Sequence, residues 1–335
     1  MKPVAAKADE PMIPSPGYAR RPVIVSQLGA TVDAKLAAHP SQPIVRALKA
    51  DEAPWALAEP ADALFVRPFV RPWDAPPKER PVGWPGPLRW VFTVSAGVDF
   101  FPGWFLEAPI VTCGRGATAN PIAEYALAAI LLHAKRLEAI RMHKPEDFHI
   151  AELAGLEGQT LGIAGYGAIG AATALRARAF GMRVLALKRS AWELAPEGIE
   201  PVAEIGELFA RSDHVLLALP ATPATRHIVN AEALARARPG LHLVNVARGA
   251  LVDQDALIAA LDAGRLAGAT LDVTDPEPLP AGHPLYTHPA VRLTPHSSWA
   301  SAANGARLVA KALDNIERYA RDEPLTDVVD SVRGY

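Results

Sequence analysis

Residues 158–190, GQTLGIAGYGAIGAATALRARAFGMRVLALKRS, read as a strand, a tight glycine turn, a helix and a second strand. Residues 160–164 form a short apolar run, and Gly165, Gly167 and Gly170 then fall at Gly-x-Gly-x-x-Gly spacing. Residues 168–180 have helical composition, and Gly181 ends the helix. Gly165 permits the sharp turn off the strand. Gly167 lets the backbone approach a pyrophosphate, and Gly170 lets the helix pack closely on the sheet. Tyr166, Ala168 and Ile169 complete a loop whose N–H groups, at the positive end of the helix dipole, face an anion. A glycine triplet alone is weak evidence. Its strand-turn-helix setting makes this a dinucleotide site.

The end of the second strand indicates which dinucleotide. About 20 residues after the glycines, an NAD-binding unit usually places Asp or Glu on the ribose 2′-hydroxyl. This chain has Lys188, Arg189 and Ser190 there. Two cations and a hydroxyl suit a 2′-phosphate, so NADP is expected, with NAD left open. The plainer reading of the same residues is a solvated basic turn.

The 335 residues suffice for two domains, and half of them are hydrophobic. A formal net charge of -2 leaves no electrostatic footprint for nucleic acid or an anionic membrane surface. The single cysteine, Cys113, excludes an internal disulfide and offers no metal cluster, so no metal is expected. Residues 1–22 lack the apolar core of a signal peptide, and no uncharged apolar stretch of ~20 residues occurs, so a cytoplasmic protein is expected.

Along the chain, 22–26, 63–66, 89–93 and 110–112 read as strands, 31–38 as a short helix and 44–49 as a second helical patch. Arg67 follows a strand, and the proline-dense segment 68–87 reads as an irregular loop. Ser95, Ala96 and Gly97 follow another strand and could form an anion-binding concavity. Residues 121–137 form a long, largely apolar helix with Asn120 as its cap and Pro121 at its first position. Such a helix must be covered on most sides, either by the second domain or by a second subunit, so a homodimer is expected. Further on, strands at 214–218, 241–246, 269–273 and 291–293 alternate with helices at 231–237 and 255–263, and a last helix spans 300–320. This pattern predicts an α/β protein with a Rossmann-type doubly wound parallel sheet.

In such sheets, functional groups belong at the carboxyl ends of strands. Arg248, Asp272, Glu277 and His296 fall there, although a surface charge, a helix cap, a solvated turn residue and a loop histidine would explain them equally. The motifs LPATPATR (219–226), NVARG (245–249), LDV (271–273), DPEP (275–278) and TPH (294–296), after the glycine unit, occur in one order. That order and spacing resemble the D-isomer-specific 2-hydroxyacid dehydrogenases, glyoxylate/hydroxypyruvate reductase-like members among them, over about residues 89–330.

The resemblance implies a dinucleotide-binding domain at 120–299 and a discontinuous, flavodoxin-like substrate domain at 1–119 and 300–335. It implies Arg248, Glu277 and His296 as the catalytic residues. Leu219, Pro220, Thr225, Val246, Ala247, Asp272 and Ser298 would line the cofactor, Asp272 at its nicotinamide end. Arg67, Ser95, Ala96, Gly97, Arg248 and His296 would receive a small 2-keto acid. Corepressors of similar sequence, which bind the nucleotide without significant turnover, are the alternative.

Overall fold

The computed structural model describes residues 17–48, 53–55, 59–68 and 76–335. In chain order the first elements are β1 (Val23–Ser26), α1 (Ala30–Ala37), β2 (Ile44–Ala47), β3 (Ala63–Val66), β4 (Trp90–Thr93), β5 (Val111–Cys113) and α2 (Ala119–Lys135). There follow β6 (Thr160–Ala164), α3 (Ala168–Ala179), β7 (Arg183–Leu187), β8 (Ile199–Pro201), α4 (Ile205–Arg211) and β9 (His214–Leu217). The last are α5 (Ala231–Ala235), β10 (Leu241–Asn245), α6 (Gln254–Asp262), β11 (Leu266–Leu271), β12 (Val291–Leu293) and α7 (Asn304–Ala320). The chain divides into two units, residues 1–117 with 303–335, and residues 118–302.

The first unit holds a five-stranded parallel sheet in the order β2-β1-β3-β4-β5. Every residue of β3 and β4 is buried, as a parallel sheet covered on both faces requires. Side chains alternate between two cores. Leu64, Val66 and Val91 join Trp84, Trp104 and Phe105 on one face, whereas Phe65, Trp90 and Phe92 meet Ala312, Ile316 and Tyr319 of α7 on the other.

Residues 44–47 are a strand, not the expected helical patch. Ile44 and Val45 are β-branched, and pairing with β1 satisfies backbone groups that would otherwise go unmet. The last helix begins at Asn304 rather than 300, because Ala300 N–H closes a turn onto Ser297 O at 2.9 Å. Of the proline-dense segment, 69–75 lie outside the described residues. Its Trp84 is core, with Nε1 donating to Trp104 O at 2.9 Å.

The second unit holds a seven-stranded sheet, β12-β11-β10-β9-β6-β7-β8, all parallel. Strand order reverses between β6 and β9, where a crevice opens at the carboxyl ends of such sheets. Helices α2 and α3 pack on one face with Leu161, Ile163, Val184 and Val244. The other face packs α4, α5 and α6 through Leu208, Leu234 and Leu257. The apolar stripe of α2 is thus covered inside its own unit, and that ground for expecting a second subunit falls away.

Asn120 does not cap α2. Thr118 holds the N-cap position without a side-chain bond, and Asn120 Oδ1 accepts from Arg176 Nη2 at 3.1 Å. Pro121 still sits in the first turn, where its missing N–H has no intrahelical partner to lose. β11 starts at Leu266 and ends at Leu271, so Asp272 and Val273 lie just beyond the strand predicted for 269–273. β8 and α4 lie outside the elements read from the sequence.

Candidate active site

At the reversal point, Gly165 has φ 104° and a Cβ there would lie 2.5 Å from Ala218 O, so only glycine fits. A Cβ at Gly170 would stand 2.3 Å from Gly165 O, so this glycine lets α3 close on the turn. Gly167, by contrast, is the N-cap of α3 without a side-chain cap, and the space beside its Cα is open. The first-turn N–H groups of α3 have no intrahelical acceptors, which fits the diphosphate of a dinucleotide. Tyr166 is half-buried, and burial raises its pKa against the opposing charge of Arg178. Ala168 is exposed and Ile169 half-buried. Lys188, Arg189 and Ser190 follow β7 directly, and Lys188 Nζ lies 4.2 Å from the centre of the Trp192 ring.

The loop after β9 carries Leu219 and Pro220. Thr225 closes it: its Oγ1 donates to Pro220 O at 2.8 Å and accepts from Thr222 N at 2.8 Å. After β10, Val246 and Ala247 are buried, and Asn245 shapes the turn by donating to Arg248 O at 2.9 Å and accepting from Ala247 N at 3.0 Å. Arg248 Nη1 donates to Ala247 O at 2.7 Å. A Cβ at Gly249 would fall 1.9 Å from Thr274 C, so the backbone after β10 presses directly on the loop after β11. This contact brings Arg248 near Glu277.

His296 Nδ1 lies 2.7 Å from Glu277 Oε1. A carboxylate only accepts, so Nδ1 donates and Nε2 is the ring atom left to exchange a proton. Burial would raise the Glu277 pKa, but the His296 bond and charge, Thr274 N–H and Arg248 together bring it below the usual value. Glu277 is therefore held as the anion.

His296 has φ 50°, a left-handed conformation that costs a residue with a Cβ about 1–2 kcal/mol. Asp272, 1% exposed, secures it. Its backbone O accepts from His296 N at 2.9 Å. Its carboxylate accepts from Thr294 Oγ1 at 2.6 Å, Ser297 N at 2.9 Å and Ser298 N at 2.9 Å. Tyr125 of α2 meets Thr294 Oγ1 at 2.5 Å, and its pKa is raised chiefly by burial. Trp299, half-exposed, donates from Nε1 to His296 O at 2.7 Å and so closes the same turn.

In the first unit, Arg67 is exposed directly after β3. Ser95 and Ala96 lie in a bend after β4 and Gly97 follows it, with Ser95 Oγ 2.9 Å from Thr93 Oγ1 and Ser95 O accepting from Gly114 N at 2.9 Å. Cys113 is buried in β5, and burial raises its thiol pKa. Among the described residues no group of three or more His, Cys, Asp or Glu could hold a metal ion, and no helix is long and apolar enough to cross a membrane.

Residues 125–298, which contain all the second-unit side chains just described except Trp299, match the family "D-isomer specific 2-hydroxyacid dehydrogenase, NAD binding domain". The chain belongs to this family. The match agrees with the motif order from 219 to 296. Glyoxylate/hydroxypyruvate reductase A of Escherichia fergusonii is 34% identical over 302 residues, covering 83% of this chain and 88% of that protein. A crystal structure of a D-isomer specific 2-hydroxyacid dehydrogenase from Xanthobacter autotrophicus Py2, in complex with NADPH and MES, superposes with a TM-score of 0.76 at 28% identity, covering 94% of this chain and 100% of that one. The NADPH-dependent glyoxylate/hydroxypyruvate reductase of Sinorhizobium meliloti, solved with NADP and sulfate, gives 0.72 at 25% identity, covering 94% of this chain and 100% of that one.

As a D-2-hydroxyacid dehydrogenase, the protein is an NAD(P)-dependent oxidoreductase that interconverts small 2-keto acids and D-2-hydroxy acids. Motif reading in this dehydrogenase named Arg248, Glu277, His296 and Asp272, and the folded chain brings them to adjoining loops. It passed over Thr294, although that residue opens TPH, and over Tyr125. Nothing local marks Tyr125, because its partner is 169 residues away.

Proposed function

We propose that the protein is an NADPH-preferring reductase of a small 2-keto acid, with glyoxylate and hydroxypyruvate as the first candidates. The observation that carries this reading is the 2.7 Å His296–Glu277 pair, with Glu277 held ionised beside Arg248. Reduction of the keto acid forms a C–H bond to the carbonyl carbon and converts C=O to O–H. NADPH supplies the hydride. Negative charge then grows on the carbonyl oxygen, and His296 Nε2 gives it a proton; in the oxidation direction the neutral ring takes that proton back. Glu277 orients the ring through Nδ1. Arg248 holds the carboxylate and carbonyl oxygens with a planar, permanently charged fork.

The cofactor preference is supported by Lys188, Arg189 and Ser190, where no acid would repel a 2′-phosphate. The relatives from Escherichia fergusonii and Sinorhizobium meliloti carry glyoxylate and hydroxypyruvate in their names. A homodimer is part of the proposal: Leu137, Met142, Phe148 and Ile150 after α2 are 49%, 50%, 78% and 98% exposed. Light scattering of the purified protein measures that mass.

Initial rates with glyoxylate, hydroxypyruvate and bulkier 2-keto acids, each with NADPH and NADH, test the reading. The expected result is fastest turnover on one of the two small acids with a lower KM for NADPH. Preference for NADH, or for a bulky acid, would reject the corresponding half, and absence of turnover on the whole panel would favour a nucleotide-binding role.

A further inference from the structure

The ammonium of Lys188 has an aromatic face as its neighbour rather than a carboxylate. Its Nζ sits 4.2 Å from the centroid of the Trp192 ring, and no carboxylate among the described residues pairs with it. Trp192 is half-buried against the core formed by α2, α3 and one sheet face. Its ring lies 5.3 Å from that of Tyr166 at a 54° tilt. Its Nε1 is buried without a hydrogen-bond partner in the ligand-free chain. The indole therefore bridges the glycine loop, through Tyr166, and the basic end of β7, through Lys188.

We infer that Trp192 is a specificity-determining residue that holds Lys188 in position for the ribose 2′-phosphate of NADPH. The inference rests on the NADPH preference proposed above. A lysine carries its charge on a flexible four-carbon stem, and ordering that stem costs conformational entropy. An indole face attracts the ammonium through its quadrupole and confines it without neutralising it. The charge stays available to an incoming phosphate, and the ordering cost is met before binding. NADH has no group to meet this ammonium. Trp192 thus acts on one cofactor and not on the other, which separates positioning from general support of the fold.

Steady-state kinetics of wild type, Trp192→Leu, Trp192→Phe and Lys188→Met with both cofactors test this, each variant first checked for an unchanged melting temperature. Trp192→Leu is expected to raise KM for NADPH about two- to five-fold, the equivalent of one cation–π contact. KM for NADH and kcat with either cofactor stay unchanged. Trp192→Phe, which keeps a weaker aromatic face, falls between wild type and Trp192→Leu and serves as the reading if the leucine variant does not fold. In a Lys188→Met background, Trp192→Leu adds nothing. Equal rises in KM for both cofactors, or additive effects of the two substitutions, would overturn the assignment and leave Trp192 as packing beneath the glycine loop. A wild type without NADPH preference would overturn both this inference and the reading beneath it. Undiminished preference in Trp192→Leu and Trp192→Phe would overturn this inference alone.

Discussion

At the carboxyl edge of the seven-stranded sheet, His296 stands half-exposed with Glu277 Oε1 2.7 Å from its Nδ1. At the amino edge of the same sheet, His214 opens β9 and His242 lies one residue into β10, 3% and 1% exposed. There the His242 ring stacks on His133 at 4.1 Å, His214 Nδ1 is 3.3 Å from His242 Nδ1, and His214 Nε2 meets Gln159 Oε1 at 2.8 Å. Burial first, and then the His133 imidazole, push His214 down to about 4, with Asp213 opposing too weakly to compensate. His242 is driven well below its ordinary value by burial, His133, His214 and Arg292. One side chain type therefore serves two ends. Loops at the carboxyl edge give it solvent and a directly bonded carboxylate. Packed strand starts deny it solvent and leave only the weaker pull of Asp213, so it acts as a neutral hydrogen-bonding wedge.

The strongest way to break this contrast is His296→Asn. The substitution should lower kcat for keto acid reduction by about 100-fold or more, the usual worth of a positioned acid, while leaving NADPH affinity by fluorescence titration and the melting temperature close to wild type. Comparable loss from His214→Gln would show that the edges are not functionally distinct.

Next in size is an acid effect on stability. The folded chain keeps His214 neutral down to about 4, whereas its ordinary value is 6.5. Between these values the unfolded chain binds more protons, so stability is fully present above 6.5 and falls as pH drops through the window toward 4. The contribution is on the order of 3 kcal/mol. Melting temperature followed across that window should fall, and His214→Gln should flatten its dependence on pH. A wild-type curve already flat between these limits would mean that the amino-edge histidine is not held neutral.

The smallest expected effect sharpens the other half. Glu277→Gln keeps the shape of the pair and removes its charge, so kcat for keto acid reduction should fall by a smaller factor than in His296→Asn, with NADPH affinity close to wild type. Unchanged kcat would remove Glu277 from the orientation of the His296 ring.

Much of the site was legible before folding because its chemistry sits in short motifs. NVARG, DPEP and TPH each place one proposed catalytic residue in the loop after a strand, and a parallel sheet gathers strand ends at one edge whatever the strand order. The support of the site was less visible. Asp272 holds the His296 turn through Thr294, Ser297 and Ser298, more than 20 residues on, and Tyr125 reaches Thr294 from a helix far earlier in the chain. The misread at 44–47 has the same origin. Four residues carry too little periodicity to distinguish strand from helix, and the open edge of β1 decides.

By itself the amino-acid sequence determined the dinucleotide turn, the parallel alternation of strands and helices, and the motifs that carry the proposed reactive groups, since glycine spacing, apolar periodicity and side-chain chemistry are local properties. Only the tertiary structure decided which histidines are kept neutral and which aromatic ring meets Lys188. Solvent access, charge proximity and the 4.2 Å approach of an ammonium to an indole arise between segments that adjoin only once the chain is folded.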